Sequence, residues 1–210
     1  SPMSRGLGDV YKRQVLADQG SLTVRISEQR PENAEAYKAA EESVQVVKGF
    51  LAEALGEEAE VLDLSTSISE TKKLNEKGNR TNEIENYVVS RSLRINTAKV
   101  LELAELSRKL YDLNAKGIRL TLNGPDFFVS GLEEVKIDLM QRATGNGRER
   151  AEIMAKSSGE KLGSLVSARQ GVIQITKPNS TRTSSYGIYD TETIEKVVKL
   201  VVTLEFKIGK

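Results

Sequence analysis

Three carboxylates in the middle of the chain, Glu133, Glu134 and Asp138, are the first residues whose types could carry chemistry. Two carboxylates act as an acid and base pair only when they face each other across a cleft. Acidic residues in the first turns of a helix are instead stabilised by the helix dipole. Because the sequence pattern places no second carboxylate opposite these three, they are interpreted as residues that stabilise the start of a helix.

A glycine pair, Gly145 and Gly147, could suggest a phosphate-binding loop. A P-loop needs a strand before it and Gly-Lys followed by Ser or Thr after it. The flanking residues have a helical pattern instead, so the pair is interpreted as a helix kink or a site of tight helix packing. Each glycine should cost the helix about 1 kcal/mol relative to alanine.

The polar segment 67–86 contains a cluster of basic residues. They are Lys72, Lys73, Lys77 and Arg80, and they are interspersed with Glu70, Glu76 and Glu83. A nucleic-acid surface would be less diluted by acids and would include stacking aromatic residues. The whole chain has 31 basic and 30 acidic residues and a net charge of +1. We therefore predict a solvated arm at 67–86 and no nucleic-acid partner.

Tyr186 and Tyr189 are the candidate partner-contact residues, because they follow a Ser/Thr-rich stretch in the polar segment 177–191. Exposed aromatic side chains often mark binding surfaces. The alternative, in which each tyrosine packs back onto its own loop, stays open.

The chain contains no cysteine and no histidine. Disulfides, cysteine nucleophiles, Ser-His-Asp triads and histidine-ligated zinc are therefore excluded. We predict no catalytic residue, no cofactor and no metal site, and hence a protein that is not an enzyme. No run approaches the ~18 consecutive apolar residues of a membrane span.

Residues 1–14 resemble the translated adapter sequence that recurs at the ends of metagenomic reads, and they are predicted to be a non-native leader. A natural disordered leader is the alternative. If the leader is foreign, any targeting segment is missing with the true N-terminus. The remaining residues, 15–210, are expected to form one soluble domain.

Hydrophobic periodicity predicts the elements that position these residues. The first helix should begin at Pro31 and end at Gly56, and the others should span 98–113 and 132–158. Strands are predicted over 21–29, 60–66, 87–97, 117–122, 125–130, 163–176 and 198–208, with Asn123-Gly124 as a hairpin turn and Gly171 as a bulge. The order β-α-β-β-α-β-β-α-β-β predicts an α+β fold with largely antiparallel sheets and three main helices.

Four stretches together resemble the SIMPL domain family of bacterial envelope proteins. They are the strand and helix over 22–55, the strand 87–97 with the helix after it, the segment 127–163 with its helix, and the segments 168–175 and 196–206. The resemblance covers residues 20–208, and its combined order and spacing are more specific than any single motif. Gly145 and Gly147 depart from the alanine-rich pattern that the family usually has in the third helix.

The resemblance implies a periplasmic or membrane-anchored protein, and it links the family to defence against oxidative stress without established catalytic residues. The leading hypothesis is a non-enzymatic envelope protein that acts by self-assembly, as a homo-oligomer, or by binding protein partners. Any membrane attachment would run through an N-terminal segment outside this chain. Two alternatives stay open: an enzyme with an unrecognised carboxylate, lysine or tyrosine site, and an intracellular adaptor that binds proteins through residues 177–191.

Overall fold

The computed structural model describes residues 9–209, and the chain divides into two compact units. The central unit is Asp18–Phe128, and the terminal unit contains residues 9–17 and 129–209. The elements in chain order are β1 Asp9–Leu16, β2 Gln19–Arg30, α1 Asn33–Leu55, β3 Glu60–Leu74, β4 Arg80–Thr97, α2 Val100–Lys109, a 3-10 helix Leu110–Lys116, β5 Leu120–Phe128, α3 Leu132–Ser157, β6 Lys161–Gln170, β7 Gln174–Thr176, β8 Ile188–Tyr189 and β9 Glu195–Gly209.

The central unit is an antiparallel sheet of order β3-β4-β2-β5 with helices on one face. Helix α1 packs on β2 and β4, and α2 packs on β2 and β5. Alternation along the strands puts one set of side chains under the helices, because successive residues of a strand point to opposite faces. The fully buried strand residues of this covered face are Leu22, Val24, Ile26, Val89, Leu93 and Ile95.

The terminal unit is built around β9, which pairs antiparallel with β1, β6 and β7, while the short β8 pairs parallel with β7. Helix α3 packs on β9, β1 and β6. Gly147 lies where a β-carbon would be 2.8 Å from Leu204 Cδ1, so the glycine allows the helix to approach β9 closely. No atom lies within 4 Å of the corresponding position at Gly145. Tight helix packing, one of the two interpretations of the glycine pair, is therefore observed at Gly147.

The predicted α+β class, with largely antiparallel sheets and three main helices, is confirmed. The predicted hairpin at Asn123-Gly124 is wrong. Strand β5 runs through this dipeptide and stays paired with β2 on both sides, with an irregularity opposite Ser21 and Thr23. Gly124 has φ +101°, and a β-carbon there would lie 3.1 Å from the carbonyl oxygen of Ser21. The dipeptide therefore forms a kink within one strand, and not a turn between two.

Residues 9–14 of the predicted leader lie in β1, an element that the predicted order lacked. Tyr11, Lys12 and Arg13 are in register with Leu200, Lys199 and Val198 of β9. Residues 1–8 lie outside the described part of the chain. The foreign origin of residues 1–14 stays a prediction.

The polar segment 67–86 forms a hairpin arm, as predicted, because β3 and β4 continue as a two-stranded ribbon beyond the end of β2. The predicted single strand 163–176 is divided into the separate strands β6 and β7, and the division falls at Gly171, the position predicted as a bulge. In α1, Tyr37 is half exposed, whereas the polar Ser43 is buried.

Candidate functional site

The outer edge of β3 is an exposed surface with unused hydrogen-bonding capacity. Strand β3 lies at the end of the central sheet, and within the described residues β4 is its one strand partner. Its exposed apolar side chains are Leu62, Leu64, Ile68 and Leu74. An edge strand presents a row of free N–H and C=O groups, which another chain can pair with.

The middle of this edge has few of the features that usually protect a sheet edge. Residues 65–71 pair regularly with β4 between two irregularities, one between Asp63 and Ser65 and one between Thr71 and Lys72. Residues 64–69 contain no charge, proline or glycine. Natural edges are commonly blocked by a charge, a proline or a bulge within the strand. This edge is therefore regular over the seven residues 65–71, a length of about 23 Å, and Glu70 is the one charged residue among them.

The tip of the β3–β4 ribbon is a defined turn. Asn75 accepts hydrogen bonds through Oδ1 from the backbone N–H groups of Lys77 (3.0 Å) and Asn79 (2.9 Å), and Gly78 has φ +77°. Lys73 Nζ and Glu83 Oε2 form a cross-strand ion pair at 3.1 Å. These contacts hold the turn and the last paired residues of the ribbon, beyond the register shifts between Thr71 and Leu74.

The loop that carries Tyr186 and Tyr189 is held down at its base. Tyr186 is 96% exposed, whereas Tyr189 is 43% exposed and its hydroxyl accepts a hydrogen bond from the Val129 N–H at 3.4 Å. The side-chain amide of Gln174 donates to the Ser184 carbonyl at 2.7 Å. The structure thus leaves Tyr186 free for a partner and engages Tyr189 within the unit, and partner contact by either residue stays a prediction.

A fully buried lysine completes the anchoring of this loop. Lys196 Nζ donates to the backbone oxygens of Asp190 (2.6 Å) and Thr193 (2.6 Å) and to Asp190 Oδ2 (3.1 Å). Burial alone would raise the pKa of Asp190, but hydrogen bonds from Thr193 and Lys196 outweigh it and lower the pKa below its usual value. Because all three ammonium hydrogens have partners, Lys196 is a structural clamp and has no proton left to exchange with a substrate.

The face of the central sheet opposite the helices, here called the open face, is polar. It contains a groove of about 480 Å³ whose lining includes Ser21, Thr23, Arg94, Asn96, Asn123 and Phe128. Ser21 Oγ donates to Asn96 Oδ1 at 3.0 Å, and the hydroxyls of Ser27 and Ser90 are 2.7 Å apart. The groove is thus lined by hydroxyl, amide and guanidinium groups, together with the carboxylate of Asp126, the side chain of Leu62 and one aromatic ring.

The covered face carries Arg91, whose charge is neutralised. Arg91 Nη1 lies 2.6 Å from Glu41 Oε2, and Nη2 lies 3.2 Å from Asp63 Oδ1. The hydrogen bond from Lys48 contributes most to a lowered pKa of Asp63; burial opposes it, and Arg91 adds to it. This ion-pair cluster ties α1 to β3 and β4.

The carboxylates of α3 are engaged in ion pairs. Asp138 contacts Arg13 at 2.8 Å and Arg142 at 2.9 Å, and Glu133 contacts Lys136 at 2.6 Å. Within residues 9–209, no group of three acidic side chains is placed to hold a metal ion. In the same residues, no helix combines the length and the apolar character needed to cross a bilayer.

Sequence reasoning missed the open face as a candidate site. Alternation in β2 does place Ser21, Thr23 and Arg25 on one face, so part of the signal was present. Which residues of β4 and β5 lie beside them depends on strand register, and register cannot be read from any one of the three segments.

These features define a class: an α+β protein with helix-backed antiparallel sheets, whose accessible features are an open strand edge and a polar sheet face. Residues 11–205 match the SIMPL family, described as a protein of unknown function (DUF541). The chain therefore belongs to the SIMPL family, and the predicted resemblance is confirmed.

Two further comparisons add little. No curated protein matches the chain. Among solved structures, it is similar to one described as "a putative aminohydrolase from methicillin resistant Staphylococcus aureus", with a TM-score of 0.29 and 12% identity over 63% of this chain and 36% of the other. A likeness at that level carries no argument about fold or activity.

Proposed function

We propose that this SIMPL-family protein is a non-enzymatic protein of the bacterial envelope that works by self-assembly, with the outer edge of β3 as the contact between copies. The observation that carries the proposal is the edge itself. It is about seven residues long, uncharged through residues 64–69, and flanked by exposed Leu62, Leu64 and Ile68. Such an edge gains backbone hydrogen bonds and buries apolar surface when another strand pairs with it.

A second copy of the same edge is a suitable partner for this strand. Antiparallel pairing of residues 65–71 about a twofold axis at Ile68 places Ile68 against its own copy, and Ser65 opposite Thr71. Opposed β-branched and hydroxyl side chains favour strand pairing. A twofold contact of this kind is isologous, so it gives a closed dimer. Further contacts, with Tyr186 as a candidate, would be needed to extend the dimer into a larger assembly.

The envelope location rests on the family resemblance described above. Because the whole chain lacks cysteine and histidine, any contribution to defence against oxidative stress acts through assembly or partners and not through thiol chemistry. Fractionation of cells that express the full-length gene tests the location separately. Recovery in the periplasm or membrane fraction is expected, and recovery in the cytosol contradicts the location alone.

The assembly proposal is tested by size-exclusion chromatography with light scattering over a range of protein concentrations. The unmodified chain is expected to form dimers or larger species in a concentration-dependent way. Ile68→Lys places a charge at the centre of the edge and is expected to raise the dissociation constant at least about tenfold, since burying an unpaired charge is unfavourable. Leu101→Lys is the matched control, because Leu101 is equally apolar and 69% exposed, but lies on α2.

Two results would overturn the assembly proposal. One is an unmodified chain that stays monomeric at the highest concentration. The other is equal behaviour of Ile68→Lys and Leu101→Lys, because the effect would then not be specific to the β3 edge.

A further inference from the structure

Three arginines lie side by side on the open face of the central sheet. The register pairs Arg25 of β2 with Ser92 of β4 and with Thr121 of β5. Arg94 lies two residues from Ser92, and Arg119 lies two residues from Thr121. Arg94 on β4 and Arg119, one residue before β5, are therefore each a diagonal neighbour of Arg25 on β2, and Cα atoms in such positions are about 7–8 Å apart.

These guanidinium groups are not neutralised. All three side chains are exposed, and within residues 9–209 none of them makes an ion pair with a carboxylate. Arg119 makes one long contact, 3.5 Å from Nη1 to Gln29 Oε1. Glu60 and Asp126 are carboxylates of the open face. The register places Glu60 opposite Asn96 and so diagonal to Arg94, and Asp126 lines the same groove as Arg94, but neither is beside Arg25.

Protection of a sheet edge does not explain this arrangement. Arg25 and Arg94 lie on β2 and β4, which are the two inner strands of the sheet. Like charges on neighbouring strands repel each other and destabilise the sheet. In a chain with 31 basic and 30 acidic residues, three neighbouring arginines that make no ion pair within the described residues are a local departure from the mixed surface elsewhere. An anion placed between them would remove the repulsion.

The rest of the face indicates what kind of anion fits. Arg94 lines the 480 Å³ groove together with Asn123, Thr23 and the half-exposed ring of Phe128. Guanidinium groups bind carboxylate and phosphate through paired N–H donors. Hydroxyl and amide side chains both donate and accept, as sugar hydroxyls require, and an aromatic ring offers an apolar surface to sugar C–H groups.

We infer that the open face of the central sheet binds an oligosaccharide that carries oxyanion groups. Arg25, Arg94 and Arg119 bind the oxyanions, and the polar groove beside Phe128 holds a neighbouring sugar ring. The lining residue Leu62 lies on β3 but outside the residues 65–71 that pair in the proposed dimer, so the site does not depend on the proposed self-assembly.

The test is a binding titration with labelled oligogalacturonate, a carboxylate-bearing sugar chain. Saturable binding that weakens with added salt is expected, because exposed charges are screened. The double variant Arg25→Gln and Arg94→Gln should raise the Kd at least about tenfold, since hydrogen bonds to charged groups are stronger than those between neutral groups. The double variant Arg108→Gln and Lys116→Gln removes the same charge from exposed positions away from the open face, and its Kd should stay within about twofold of the unmodified value.

Two further probes identify the ligand class. A neutral maltose oligomer should bind much more weakly than oligogalacturonate, because it lacks oxyanions. A glutamate oligomer of equal charge should also bind more weakly, because it lacks hydroxyl groups. The inference is overturned if oligogalacturonate shows no saturable binding, if the glutamate oligomer binds equally well, or if Arg25→Gln with Arg94→Gln leaves the Kd unchanged. Repeating the titration with Ile68→Lys separates this result from the assembly proposal, since that variant should bind normally.

Discussion

The two faces of the central sheet are made from alternate residues of the same strands, yet they differ in almost every property. On β4, Arg91 points to the covered face and Arg94 to the open face. Arg91 is half-buried and contacts Glu41 and Asp63, whereas Arg94 is exposed and makes no ion pair within the described residues. Beside Arg91 lie Val89 and Leu93, which are fully buried under α1.

This contrast separates stability from binding. An arginine near an apolar interface must be neutralised, because an unpaired charge is costly away from water. An arginine on a solvated face can stay unpaired, and it is then free to bind an anion from outside. The covered face thus holds the unit together, and the open face is available for a ligand.

The largest expected effect compares two adjacent residues of β2. Ile26→Ala on the covered face should lower the free energy of unfolding by about 2–5 kcal/mol, because it removes a fully buried side chain and leaves a cavity. Arg25→Ala on the open face should change it by no more than about 0.5 kcal/mol. Hydrogen exchange of the β2 and β4 amides measures both values, and equal losses would contradict the division between the faces.

Strand alternation predicted much of the covered face. The pattern of residues 21–29 correctly places Leu22, Val24 and Ile26 together, and the same holds for Val89, Leu93 and Ile95 in β4. The open face could not be predicted in this way. Its three arginines come from segments far apart in the chain, and they become neighbours only through the register of three strands.

Register also explains the error at Asn123-Gly124. This dipeptide is typical of a two-residue hairpin turn, and local turn chemistry favours that structure. Pairing with β2 continues on both sides of it, so the extended arrangement gains ladder hydrogen bonds that a turn would lose. Whether Asn123-Gly124 forms a turn or stays in a strand depends on pairing with β2 residues near Ser21. The sequence of the dipeptide itself does not indicate this pairing.

The next effect tests how tightly the covered face is packed. In Gly20→Ala, the new β-carbon would lie 2.7 Å from Leu103 Cδ2 of α2. Since this atom is the end of a flexible side chain, we expect a loss of about 1–3 kcal/mol and no loss of fold. Gly49→Ala is the matched control in α1, where nothing lies within 4 Å. It should stabilise the helix by about 0.5–1 kcal/mol. Urea unfolding measures both changes, and the same sign for both would contradict close packing of α2 on β2.

The smallest effect concerns the ion pairs that make Arg91 differ from Arg94. The pKa of Asp63 is lowered in the folded state, first by Lys48 and also by Arg91. When folding lowers the pKa of a carboxyl group, the resulting stability is fully present at pH values above the pKa of the unfolded state, about 3.9. This stability is lost as the pH falls through the pKa of the folded state. Unfolding free energy should therefore decrease as the pH falls below about 4. Because the Asp63 side chain is 50% exposed, solvent screening limits its contribution to less than about 1 kcal/mol.

Asp63→Asn isolates this contribution. The variant should be slightly less stable than the unmodified chain at pH 7, and the difference should shrink in acid, where Asp63 is protonated in both states and has lost its charge. Asp112→Asn, at an exposed position of the 3-10 helix, is the control and should leave the pH dependence unchanged. Urea unfolding at several pH values measures the slopes. If Asp63→Asn keeps the full pH dependence, the ion pairs of Asp63 do not contribute to stability, and the neutralisation of Arg91 then depends on Glu41.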